Sequence, residues 1–89
     1  MSDQKIDIRC EEMEESMKQK AIEVAKEAMK KFNIEKEIAT DMKRRFDELY
    51  GGIWHCIVGR NFGCYVNHQP QHMIYFYIDD LSFLLFRSI

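Results

Sequence analysis

The sequence predicts an α+β fold, two helices on one face of an antiparallel sheet, in the order β-α-α-β-β-β-β. Three observations predict it. The lysines and glutamates lie before Gly51-Gly52, whereas most aromatic and β-branched residues follow. The hydrophobic period changes at the same point, from helical to alternating. The 89 residues show no repeat, low-complexity tract or linker, so residues 1–89 form a single domain.

The first element is a short alternating stretch over residues 5–10, with Ile6 and Ile8 on one face. A helix is predicted over 11–32, where Met13, Met17, Ala21, Val24, Ala25, Ala28 and Phe32 recur at helical spacing. Acidic residues open it and Lys30 and Lys31 close it, which suits the helix dipole. Asn33 is a candidate left-handed stop. A second stripe, Ile34, Ile38, Met42, Phe46 and Tyr50, predicts a helix over 34–50 that the two glycines end. Strands follow over 53–58, 61–67, 72–78 and 81–87, joined by Gly59-Arg60, by a loop through Gln69-Pro70-Gln71, and by Asp79-Asp80.

Composition narrows the function. A chain this short buries only about 60–70% of the surface its unfolded form exposes. Yet 46% of its residues are hydrophobic and 12% aromatic. Dimerisation would add core volume; a well-packed monomer is the simpler account. A net charge of −2 with interspersed signs makes no electrostatic case for nucleic acid or membrane. Cys10, Cys56 and Cys64 lack C-x-x-C spacing, and the N-terminus lacks a signal-peptide core, so a reducing cytosolic compartment is expected.

The chemical readings fail one by one. Cys56, Cys64, His68 and His72 form C-x7-C-x3-H-x3-H, which is not zinc-finger spacing, so no metal or cofactor is expected. His55 and Cys56 are adjacent, so on a strand they point to opposite faces and cannot act as a couple. No phosphate loop or nucleophile elbow occurs, and no enzyme is expected. The stretch from Arg60 to Val66 partly echoes an RNA-recognition strand, but Asn61 and Cys64 break the motif and the element order differs. The strand from His72 to Ile78 remains unusual. Met73, Tyr75 and Tyr77 line one side and Ile74, Phe76 and Ile78 the other, so both faces need cover.

The string Trp54-His55-Cys56-Ile57-Val58-Gly59-Arg60-Asn61-Phe62-Gly63, with Asn33-Ile34-Glu35-Lys36 and Ile74-Tyr75-Phe76-Tyr77, resembles the eight-kilodalton cytoplasmic dynein light chain family. The resemblance runs without gaps from about Ile6 to Ser88. It implies a strand-swapped homodimer, with the strand over 61–67 paired to the partner's sheet on one edge. Client segments with Thr-Gln-Thr-like motifs, including the dynein intermediate chain, would add to its other edge. It further implies a non-catalytic light chain of the motor complex on microtubules, cytoplasmic or axonemal. The alternative is a general dimerisation hub with clients outside dynein.

The same resemblance assigns site residues. Asn61, Phe62, Gly63, Cys64, Tyr65, Val66, Asn67 and His68 would supply the client-bearing edge, with Gly63 allowing close backbone approach. Met73, Tyr75, Tyr77, Ser82 and Leu84 would join Phe62 as floor and walls. Glu35 and Lys36 would stand at one end, Lys36 bonding the client's glutamine, and Arg9 and Cys10 at the other. His55, Lys43, Arg44, Tyr65 and Ser88 are expected at the dimer interface. Protonation of His55 or phosphorylation of Ser88 would place charge near its symmetry mate. The chain departs from the family pattern at Cys64, Asn67, Met73 and Ser82, which bears on client preference. Gly51-Gly52 and Asp79-Asp80 depart from the usual turns.

Overall fold

The computed structural model describes residues 4–60 and 71–88. Their order is β1 (Ile6–Met13), α1 (Glu15–Lys31), α2 (Glu35–Tyr50), β2 (Trp54–Gly59), β3 (His72–Ile78) and β4 (Leu81–Arg87). The four strands form one antiparallel sheet in the order β1-β3-β4-β2. The predicted strand over 61–67 lies outside the described residues.

Two boundaries differ from the sequence expectation. The first strand runs to Met13, so α1 begins at Glu15 rather than at residue 11. Apolar spacing misplaced this boundary because Met13 fits the helical stripe but packs on the core from the strand end instead. A register shift between Ile8 and Cys10, a bulge at Arg9, lets β1 keep pairing with β3 beyond its alternating part. Asn33 is not the left-handed stop expected. α1 ends on Phe32 in an extended conformation, with φ −128°, and its N–H bonds the Ala28 carbonyl.

One face of the sheet carries the core. Met17, Ala21, Val24, Ala25 and Ala28 of α1 are buried with Ile38, Met42 and Phe46 of α2 against Ile74, Phe76, Ile78, Leu81, Phe83 and Leu85. Four small or β-branched residues on α1 let that helix lie close to its neighbours. Phe76 and Phe83, directly opposite on β3 and β4, stack with centroids 5.1 Å apart.

The connection from α2 to β2 is tightly specified. Gly51 at φ 73°, ψ 178° adopts backbone that is essentially glycine-only, and Gly52 at φ 81° takes a value proline cannot. Trp54 then enters the core fully buried, beside Phe46 at 4.9 Å, and its indole N–H donates to the Gly51 carbonyl at 3.0 Å. Its backbone N–H donates to Asp47 Oδ1 at 2.9 Å, while Lys43 pairs with Oδ2. Desolvation alone would raise the Asp47 pKa; the bonds from Lys43 and the Trp54 N–H outweigh it and hold the carboxyl below the usual range. The Asp79-Asp80 turn also has a clear basis. Asp79 sits at φ 56°, a conformation short polar residues tolerate, and both its N–H and its carboxylate bond the backbone of Lys5.

Asp47→Ala should therefore cost about 1–3 kcal/mol in urea unfolding at fixed protein concentration, because the Trp54 N–H loses its acceptor. Asp47→Asn, which keeps an acceptor there, should cost less. A carboxyl held below its unfolded value contributes stability above that value and loses it as pH falls through the lowered one. Wild type should thus lose more stability than Asp47→Asn on descending below about pH 4. Parallel pH curves for the two proteins would contradict this.

Candidate functional site

The strand registers set out the face of the sheet turned away from the helices. Cys10, Tyr75, Leu84 and Ile57 lie in one row across the four strands. Glu12, Met73, Phe86 and His55 form the next, and Asp7, Tyr77, Ser82 and Gly59 a third. Both faces of β3 are therefore used, as its sequence demanded: Ile74, Phe76 and Ile78 face the helices, while Met73, Tyr75 and Tyr77 face away. The Tyr75 and Tyr77 hydroxyls lie 3.5 Å apart.

At the β1 end, the bulge turns Arg9 onto this face. Its guanidinium lies 4.7 Å from the Tyr77 ring centroid, and its Nε donates to Asp7 Oδ2 at 2.8 Å. Cys10 is exposed opposite Tyr75. Arg9, Cys10, Tyr75 and Tyr77 thus lie together on this face, with Asp7 beside them.

At the other edge, among the described residues, β2 pairs only with β4. Its exposed side chains are His55 and Ile57, the latter 42% exposed, and His55 stacks on Phe86 at 5.1 Å. A cleft wraps this edge from α2, lined by Lys36, Ala39, Thr40 and Lys43 on the helix and His55, Cys56, Ile57 and Phe86 on the sheet. Lys36, Lys43 and His55 therefore meet in one place. Ile57 and Phe86 were not foreseen as site residues. The odd-even alternation of β2 could have revealed Ile57, because Cys56 and Val58 already fill the core side.

Other expected residues stand apart from that cleft. Arg44, one position from Lys43 and so turned about 100° around the helix, lies 3.9 Å from Asp41 instead. It lines an adjoining cleft with Phe32 and Ile34, which shares Lys36 and Thr40 with the first. Glu35 faces Arg60 at 3.8 Å. Ser88 is half-buried, its N–H donating to the Ile53 carbonyl at 3.0 Å and its hydroxyl to the same oxygen at 3.4 Å. Residues 61–68, including Gly63, Cys64 and Tyr65, lie outside the described residues.

Among the described residues, His55 and Cys56 do not form a thiol couple. Cys56 points toward α2, its thiol 3.8 Å from the Met42 sulfur, while His55 points to the opposite face. Burial pushes the Cys56 thiol far above its ordinary value, so it holds little thiolate near neutrality. Among the described residues no three or more His, Cys, Asp or Glu side chains converge to hold a metal ion. Among them, too, no helix is long and apolar enough to cross a membrane. Mass-spectrometric thiol footprinting of the native protein should label Cys10 faster than Cys56 by roughly two orders of magnitude, following thiolate fraction and access. Equal rates would contradict the shielding of Cys56 by the core and α2.

Comparison with known proteins places this geometry. The dynein light chain-like domain of the Fasciola hepatica calcium binding protein FhCaBP2 is 26% identical and superposes with a TM-score of 0.85, over 99% of this chain and 95% of that one. A mercury derivative of the same domain gives a TM-score of 0.80, at 26% identity over 94% and 92% of the two chains. The DLC-like domain of CsTAL3 shares the fold at 17% identity, with a TM-score of 0.71 over 93% and 92%. The sequence profile described as dynein light chain type 1 matches residues 5–88. With that match spanning nearly every residue, and with the helices, sheet order and registers in place, the chain belongs to the dynein light chain type 1 family.

Proposed function

We propose that this chain acts as a homodimer that holds short segments of other proteins by β-strand addition, as a non-catalytic light chain of the cytoplasmic dynein motor. The observation that carries the reading is the β2 edge. A strand that, among the described residues, pairs on one side only, with an exposed isoleucine and an adjoining cleft, is a surface that folded proteins ordinarily cover. In this reading the strand over 61–67 of a second copy covers it, and the far edge of that strand receives the client.

The sheet order supports two chains rather than one. Arg9 and Cys10 lie on β1, and the Lys36 cleft lies at β2, with β3 and β4 between them. At strand spacings of about 4.8 Å, the two edges are about 14 Å apart, too far to flank one added strand within a single sheet. A second copy brings the β1 end of one chain beside the β2 end of the other. Two equivalent grooves per dimer would then join two copies of a client and raise the effective concentration of the second binding event.

Fluorescence anisotropy with a labelled Thr-Gln-Thr peptide from a dynein intermediate chain tests this, with sedimentation to follow the dimer. Wild type should dimerise and bind one peptide per chain. Gly63→Pro should lose binding while remaining a dimer, since proline removes a backbone donor and adds bulk on the edge. Lys36→Ala should weaken binding about 10-fold or more, the usual effect of removing a charged donor. Unchanged affinity in Gly63→Pro would overturn strand addition.

A further inference from the structure

Two of the residues that depart from the family pattern, Asp80 and Ser82, contact consecutive residues at the end of β2, Ser82 the Gly59 carbonyl and Asp80 the Arg60 side chain. Ser82 is fully buried, and its hydroxyl donates to the Gly59 carbonyl at 2.8 Å, directly across the β2–β4 register. The next residue, Arg60, pairs through its guanidinium with Asp80 of the β3–β4 turn and approaches Glu35 at the start of α2, 3.8 Å away. Asp80 is in turn held by its neighbour Asp79, which is bonded to Lys5 at the start of β1. Contacts from β4, the β3–β4 turn and α2 thus meet where β2 ends.

We propose that Asp80 and Ser82 are positioning residues that fix the direction in which the chain leaves β2, and so strengthen the dimer. The inference rests on the reading that the strand after Arg60 is exchanged between protomers. Glycine has the widest backbone freedom of any residue, so Gly59 would otherwise let the following chain leave in many directions. Each direction unsuited to exchange must be given up on association. Contacts already made within the free protomer remove that entropy cost beforehand, which is how preorganisation raises affinity. The two contacts differ in kind. The Arg60 cluster is exposed, with side-chain exposures of 57% for Arg60 and 77% for Asp80, so salt screens it. The Ser82 bond is buried and salt leaves it intact.

That difference makes the device testable by sedimentation over a dilution series. Exposed ion pairs are modest, but each dimer contains two such exits, so Asp80→Asn should raise the dimer Kd about 2- to 30-fold at low salt. The gap from wild type should close near 1 M salt, where the screening length falls to about 3 Å. Asp80→Glu should restore most of the affinity. Ser82→Ala should weaken the dimer at both salt concentrations. A merely structural role in the turn would not produce these different salt responses. Wild-type Kd values for both Asp80→Asn and Ser82→Ala, in a protein that does dimerise, would overturn the proposal alone. A wild type that stays monomeric throughout would instead remove the dimer reading, and this proposal with it.

Discussion

The corner from α2 to β2 governs the rest of the molecule. Asp47 stands in the last turn of α2, where a carboxylate is opposed by the helix dipole and no basic residue offsets it from that turn. It is retained because it accepts the Trp54 N–H and pairs with Lys43 one turn earlier. Those bonds set the angle at which the chain leaves the helix. With Gly51 and Gly52 at positive φ, they turn Trp54 into the core and leave His55 on the opposite side of the strand. Every side chain of β2 follows from that placement, since a slip of one residue would exchange its faces.

The same corner shapes the cleft at the β2 edge. Lys43 is both a partner of Asp47 and a wall of the cleft at the β2 edge, so the residue that steadies the corner also lines the site. Lys36 reaches the cleft from two turns earlier on the same helix. The opposite edge is built by different means: a bulge in β1 rotates Arg9 over Tyr77, and Asp7 holds its guanidinium. Two unlike devices thus finish the two edges of one sheet. Each presents side chains to the face that the helices leave uncovered.

Much of this was legible from residue order. The helical stripes identified both helices, and alternation identified β2, β3 and β4 within a residue of their ends. The two-sided character of β3 was visible in Met73, Tyr75 and Tyr77 alternating with Ile74, Phe76 and Ile78. The end of β1 was not legible, because Met13 satisfies helical and strand patterns equally and the bulge that prolongs pairing depends on β3. The role of Asp79-Asp80 was also hidden. Its left-handed turn is explained only by Lys5, 74 residues away in the chain. That Lys43 and the next residue, Arg44, face different neighbours is a matter of helical geometry, Lys43 meeting Asp47 and Arg44 meeting Asp41.

The amino-acid order alone determined the class of fold, the family resemblance and the two apolar faces of the sheet. These are local or periodic properties, and hydrophobic spacing records them directly. Tertiary structure alone decided which residues share a site. Strand order put Arg9 and Lys36 on opposite edges, and the α2–β2 corner gathered Lys36, Lys43 and His55. It also brought Asp80 and Ser82 to the end of β2. Such meetings depend on how distant segments pair and turn, and no spacing within a single segment encodes them.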